Sequence, residues 1–474
     1  MPVLLVLCLA LAGLVGETPA APEGPAAPAA RPAAGERPRN LVLCIADGLG
    51  PASVTFARVA AGHSLALDEV LVGSVSTDSE NSHITDSAAA ATALACGVLT
   101  DNLTIGLDTH DRPVGNLVER ARAHGFRTGV VTTTRVTHAT PASFSAHLWS
   151  RLREELIAEQ QITSELDLLL GGGAKYFLPA DALHLSRRHD GRNLVKEARD
   201  LGWHTVQDAA GLLAARELPL LGLFADSHMP YELDLRGAWM PGTAWSADGG
   251  VAEGRPVPTL AHMTRHALEL LAATGEPFVL VMEGGRIDHA GHENDLPGHL
   301  QEILAYDDAI AEVLDFVRDD GQTLFVGVSD HETGGLTLGR NRNGFGVWDW
   351  QPEVLGHTTT SAEVMVAMIQ AGADVKQVFT ELGGVPDPTP VEVELVERAR
   401  ARPPGEPQRL AIVEALGRPL ALRSGLAWTT LGHTGVDVPL YAEGPSAERF
   451  RGHRDNVALG RLLQEVLMED RVAR

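Results

Sequence analysis

PFVLVMEGGRIDHAGHEND, residues 277–295, decides the architecture. It opens with an apolar run over 277–282, the pattern of a parallel strand buried on both faces. Glu283, Asp288, His289 and His292 then follow within ten residues. Asp288 and His292 stand four apart, the spacing that puts two ligands on one face of a helix. The plain alternative is a polar surface loop, and the density of oxygen and nitrogen donors weighs against it.

Working outward, similar apolar runs occupy residues 41–46 (LVLCIA), 127–132 (RTGVVT) and 323–329 (TLFVGVS). Segments of helical character separate them, at 87–96, 114–124, 151–161, 259–273 and 300–318. This alternation predicts an α/β fold, a central, mostly parallel sheet covered by helices on both faces. In such a sheet, reactive groups gather just past the carboxyl ends of the strands. The rhythm breaks over about 340–420, where Gly-, Asn- and Trp-rich sequence leads into helical segments at 361–371, 391–401 and 408–416. This stretch reads as an insertion that caps the core or makes a subunit contact, or as a helical excursion without function.

The other strand ends carry the same kinds of group. Asp47 follows the first strand in ADGLGPAS, where a capping role is the plain alternative to a ligand. In HITDSAAAATALACG, Asp86 or Thr85 can cap a helix starting at Ser87, whose hydroxyl would sit in the positive end of the helix dipole. Most such serines are only caps, and no histidine base arranged for a Ser-His-Asp triad stands nearby, so activation would need a metal. VTTTRVTHATPASFSAHLWSR delivers His138, Thr140 and Arg151; a guanidinium can hold two phosphoryl oxygens, although Arg151 taken alone reads as a solvated helix residue beside Glu154 and Glu155. VGVSDHETGG presents Asp330 and His331, and WTTLGHTGVDV presents His433 in a Gly-flanked loop.

Taken together, Asp47, Glu283, Asp288, His292, Asp330, His331 and His433 form a thiolate-free set that suits two zinc ions, leaving all-oxygen positions for magnesium. Two cations about 4 Å apart can activate a nucleophile and stabilise the leaving oxygen of an in-line phosphoryl transfer. Charge agrees with this. The 474 residues carry 62 acidic against 38 basic side chains, a formal charge of -24. That field opposes nucleic acid as an obligate partner, and bound cations are the simplest source of local positive charge for a phosphate site.

Residues 1–15 are apolar and lead into small residues around Ala20, the pattern of an export signal over 1–20. An Ala/Pro-rich linker over 21–39 follows, so a periplasmic or extracellular location is expected. Leu7 before Cys8 argues against a lipoprotein signal. The chain contains no run of transmembrane length. Cys44 and Cys96 lie in apolar segments and are expected to be buried free thiols.

The motifs ADGLG, TDSAAAATA, VTTTRVTHATPA, MEGGRIDHAGHEND, SDHE and GHTGVDV occur in the order of the alkaline phosphatase family, which the chain resembles over about 40–339 and 421–453. The resemblance implies a catalytic domain over 40–474 that hydrolyses small-molecule phosphate monoesters through a phosphorylated Ser87. It implies that Asp288, His292 and His433 hold a first zinc, that Asp330 and His331 hold a second, and that Asp47 bridges the second zinc and one magnesium. Thr140 and Glu283 match the magnesium ligands and Arg151 the phosphate clamp. His138 and His289 match the histidine-bearing branch, where the third site can favour zinc over magnesium. The calcium site of animal relatives is not expected, since Ala225 and Val257 stand where its ligands would be. A homodimer is expected. The rival readings are a phosphodiesterase, sulfatase or phosphoglycerate mutase on the same metal core, or a metal- or phosphate-binding protein without turnover. Ser87 is followed by alanines where a sulfatase needs Pro and Arg, and Arg151 favours a dianionic monoester.

Overall fold

An apolar strand without polar interruptions is stable only where its two edges are paired and both its faces are covered. The computed structural model describes residues 37–180, 186–236, 257–342, 345–347 and 350–468. Within it ten strands form one sheet: β1 (Asn40–Ile45), β2 (Leu71–Ser76), β3 (Arg127–Arg135), β4 (Leu168–Gly172), β5 (His204–Val206), β6 (Leu220–Leu223), β7 (Phe278–Glu283), β8 (Thr323–Val328), β9 (Val438–Glu443) and β10 (Gly452–Asp455). Their order is β10-β2-β9-β8-β1-β7-β3-β4-β6-β5. β9 pairs antiparallel with β2 and β8, and the remaining neighbours are parallel.

The four strands expected from the apolar runs are the contiguous centre of this sheet, β8-β1-β7-β3. The flanking strands escaped the reading because they are short, as β5 is, or polar, as the edge strand GHRD of β10 is. Side chains alternate between two cores. Val42, Cys44, Leu280 and Met282 face one, and Leu41, Leu43, Ile45, Val279 and Val281 face the other. Helices cover both faces.

Five helices matter for the site: α1 (Ser87–Cys96), α2 (Arg286–His292), α3 (Leu296–Asp320), α4 (Ala362–Gln370) and α5 (Glu406–Ser424). The last two belong to the 340–420 stretch. α5 runs eight residues beyond the expected end at Leu416, passing through Pro419. The proline removes one backbone hydrogen bond, and burial of Ile412, Val413, Leu416 and Leu420 along the same helix offsets the loss. Cys44 and Cys96 are free and buried, as expected, and burial pushes the Cys96 thiol up to about 12. The export signal, Cys8 and most of the linker lie outside the described residues. Among the described residues no helix is long and apolar enough to cross a membrane.

One buried acid in α3 gives the fold a pH signature. Glu302 accepts the backbone N–H of Glu232 at 2.6 Å, and burial raises its carboxyl from 4.5 to about 8. The folded state therefore binds more protons than the unfolded one between these values, and stability falls as pH rises through that window. Glu302→Gln keeps the acceptor and removes the charge. Urea unfolding should show the variant no less stable than wild type at pH 4.5 and more stable at pH 8, by a gap on the order of a few kcal/mol.

Candidate metal-centred active site

The carboxyl ends of β1, β7 and β8 lie side by side, so the residues that follow them converge without long loops. Asp47 leaves β1, Glu283 ends β7, and Asp330 and His331 follow β8. All four are buried. His433 arrives from far along the chain because His433–Thr434 pairs with Glu332–Thr333, immediately after His331. Asp288 and His292 share one face of α2, with His292 Nε2 3.3 Å from Asp288 Oδ1.

Three groups result whose donor atoms lie within 4.8 Å of one another: Asp288 with His331 and His433; Asp47 with Asp330 and His331; and Asp47 with His138 and Glu283. His292 joins the first, its Nε2 3.1 Å from His433 Nε2. His331 sits between the first two, its Nε2 3.5 Å from Asp47 and 3.3 Å from Asp330, with its ring stacked on that of His433 at 3.6 Å.

Electrostatics make this arrangement costly for the protein alone. Burial drives the carboxyls of Asp47 and Asp330 well above the usual carboxylate range, and neighbouring acids add to it: Asp330, Asp288 and Glu283 for Asp47, and chiefly Asp288 for Asp330. Burial likewise pushes Glu283 up to about 7, against hydrogen bonds from Thr132 and Thr134. Burial also opposes the charge on Asp288, but His292, His433 and His331 outweigh it and hold that carboxyl down. Both oxygens of Asp47, Asp330 Oδ2, Glu283 Oε1, Thr140 Oγ1 and His138 Nδ1 are buried without a hydrogen-bond partner. Orphaned donor atoms of this kind, converging in one place, fit divalent cations. The outer nitrogens are fixed by backbone: His433 Nδ1 meets Thr85 O at 2.8 Å and His292 Nδ1 meets Leu431 O at 2.6 Å. Such contacts orient a ring so that its other nitrogen faces a metal.

Ser87 lies at the edge of this cluster. Asp86 caps α1, accepting the Ala89 N–H at 3.0 Å, so Ser87 is the first helical residue and its hydroxyl faces the centre. Ser87 Oγ is 3.2 Å from His331 Nε2, a histidine that the sequence around Ser87 gave no sign of. Arg151 precedes its helix, which starts at Glu154, and its guanidinium turns inward. It donates to Asp86 Oδ2 at 3.0 Å and contacts His138 Nε2 at 2.8 Å. The solvated alternative for Arg151 therefore does not hold.

Two contributors were not legible in the sequence. Thr333 donates to Asp288 Oδ1 at 2.5 Å and contacts His331 Nδ1 at 3.3 Å, tying the first two groups together. His228, just past the end of β6, packs its ring against those of His138 and His289, at 5.5 and 4.2 Å between centroids. Its only signal would have been that four-residue strand, which the apolar runs did not reveal.

Comparison with known proteins now has a geometry to meet. The sequence model of the family described as alkaline phosphatase matches residues 38–468. The chain belongs to the alkaline phosphatase family. It is 34% identical to the repressible alkaline phosphatase of Saccharomyces cerevisiae, over 92% of this chain and 82% of that one. The structure of Thermus thermophilus alkaline phosphatase superposes with a TM-score of 0.80 at 32% identity, covering 92% of this chain and 93% of that one. The cold-active alkaline phosphatase of a Shewanella species gives 0.77 at 31% identity, covering 90% and 99%. The chain is thus a phosphomonoester hydrolase.

Cations should be structural as well as chemical here. Chelation is expected to lower the thermal midpoint by about 5 °C or more, since a ligand bound only by the folded state stabilises it by mass action. Metal-free Asp330→Asn should melt above metal-free wild type, because a neutral amide replaces a buried carboxyl that the fold must hold above its ordinary range. Scanning calorimetry with and without chelator checks both.

Proposed function

We propose that the enzyme hydrolyses phosphate monoesters by two in-line displacements, with Ser87 as the nucleophile and a phosphoserine between them. The observation that carries this reading is the position of the Ser87 hydroxyl, 3.2 Å from His331 Nε2, the nitrogen that also lies 3.5 Å from Asp47 and 3.3 Å from Asp330. Asp288, His292 and His433 would hold one zinc, Asp330 and His331 a second, with Asp47 between the second zinc and a magnesium held also by Glu283 and Thr140. When bound, these cations supply the positive charge that lowers the ionisation cost of a hydroxyl and offsets charge on the departing oxygen.

The chain's own residues do the rest. Asp86 ends α1 so that the helix N–H groups and Ser87 face the same space, favouring negative charge there. Arg151, held by Asp86, offers its paired N–H groups to the non-bridging oxygens of a dianionic phosphoryl group, which a diester presents less well. His138, with Nδ1 free and Nε2 against Arg151, stands where it can hold a ligand or pass a proton. His289 and His228 pack beside it and bound the third position. Export, supported by the apolar stretch at 1–15, and assembly as a homodimer complete the proposal.

Ser87→Ala should lower turnover of p-nitrophenyl phosphate by about three orders of magnitude or more while inorganic phosphate still binds. Retained turnover would remove Ser87 from the mechanism. Arg151→Ala should raise the inhibition constant of phosphate by about 10- to 100-fold, the worth of a charge-assisted pair of hydrogen bonds. Chelation should abolish monoester turnover, zinc should restore it, and diester and sulfate analogues should be poor substrates throughout.

A further inference from the structure

The metal cluster opens on one side into a cleft of about 600 Å³. That volume lies in the range of pockets that bury a small organic molecule. One wall belongs to the metal-site helix, through His289 and His292, with Glu293 just beyond it. The opposite wall comes from the 340–420 stretch, through Glu363 on α4 and Glu406, Arg409 and Leu410 on α5. Two ion pairs join the walls. Arg409 pairs with Glu293 at 2.5 Å and Arg286 of α2 with Glu363 at 2.6 Å.

Position gives the cleft a role. Ser87 stands beside His331, and on the proposed mechanism the alcohol departs on the side of Asp288, His292 and His433. His292 is the member of that group that lines the cleft, and its side chain is 37% exposed. Chemistry gives it a preference. Glu363 and Glu406 are more than half exposed, and Arg409 is partly so. An alkyl chain placed among these groups would strip their water without replacing it, whereas a polyol can exchange hydrogen bonds with them. Leu410 and Leu431 supply limited apolar surface, enough for the C–H face of a ring.

Resting on the monoester reading above, we propose that this cleft is the leaving-group pocket, that it selects polyhydroxylated, sugar-like alcohols, and that the 340–420 stretch exists in this chain to build its outer wall. Glu363, Glu406, Arg409 and Leu410 are then specificity-determining residues, remote from the bond that breaks.

The test compares glucose 6-phosphate with ethyl phosphate. Both release primary alcohols, and ethanol is too small to reach the outer wall. Wild type should show kcat/KM for the sugar phosphate about tenfold or more above that for ethyl phosphate. Leu410→Trp, which fills the cleft, and Glu406→Ala, which strips an exposed acceptor at its outer edge, should each erase most of that ratio. Ethyl phosphate turnover and inhibition by inorganic phosphate should stay within about twofold of wild type. In Ser87→Ala, glucose 6-phosphate should raise the thermal midpoint more than ethyl phosphate does, and adding Leu410→Trp should remove the difference. No sugar preference in wild type, or equal effects on both substrates, overturns the pocket assignment. Loss of ethyl phosphate turnover in wild type would instead sink the monoester mechanism, while the thermal shifts would still report on the cleft.

Discussion

Four carboxylates packed out of water within one cluster are the constraint on which the rest of this structure depends. Asp47, Glu283, Asp288 and Asp330 lie at or beside the ends of adjacent strands, each almost wholly buried. Like charges so placed repel strongly in a low-dielectric interior. Three histidines lower that cost for Asp288, but burial and neighbouring acids keep the carboxyls of Asp47 and Asp330 raised. A fold that holds them together must be rigid enough to resist their separation, and it becomes most stable when cations enter.

The rigidity comes from the sheet. β8, β1 and β7 are buried on both faces, and their register sets the heights at which Asp47, Glu283 and Asp330 emerge. A displacement of one residue in a strand would turn the donor to the opposite face. Backbone contacts on the outer nitrogens of His292 and His433, and the Thr333 hydroxyl between Asp288 and His331, then fix the side chains themselves. The same scaffold places Arg151: its guanidinium is held by Asp86, the residue that also ends α1 and orients Ser87. One carboxylate thus couples the helix of Ser87, the proposed nucleophile, to the group that would grip the phosphoryl oxygens.

The 340–420 stretch shows how an excursion from a regular α/β pattern acquires a place beside the chemistry. Its helices are joined to the metal-site helix by ion pairs between Arg409 and Glu293 and between Arg286 and Glu363. A pocket wall built on these helices can vary without disturbing the strand ends.

The sequence by itself determined the central layer and most of the donor set. The largely apolar runs around Val42, Val130, Leu280 and Phe325 read as parallel strands buried on both faces, and they are the centre of the sheet. Asp288 and His292 were legible because helical spacing is a local property. What only the tertiary structure decided depends on contacts between segments far apart in the chain. The approach of His331 to Ser87, the pairing that brings His433 beside His331, the inward turn of Arg151 onto Asp86 and the arrival of His228 next to His289 all join residues from different elements. The continuation of α5 past Pro419 belongs with them, since burial of Leu416 and Leu420 outweighs a helix-ending signal. Local propensity is written in neighbouring residues. Which distant side chains meet is settled by how the sheet orders its strands and by what the packed helices leave room for.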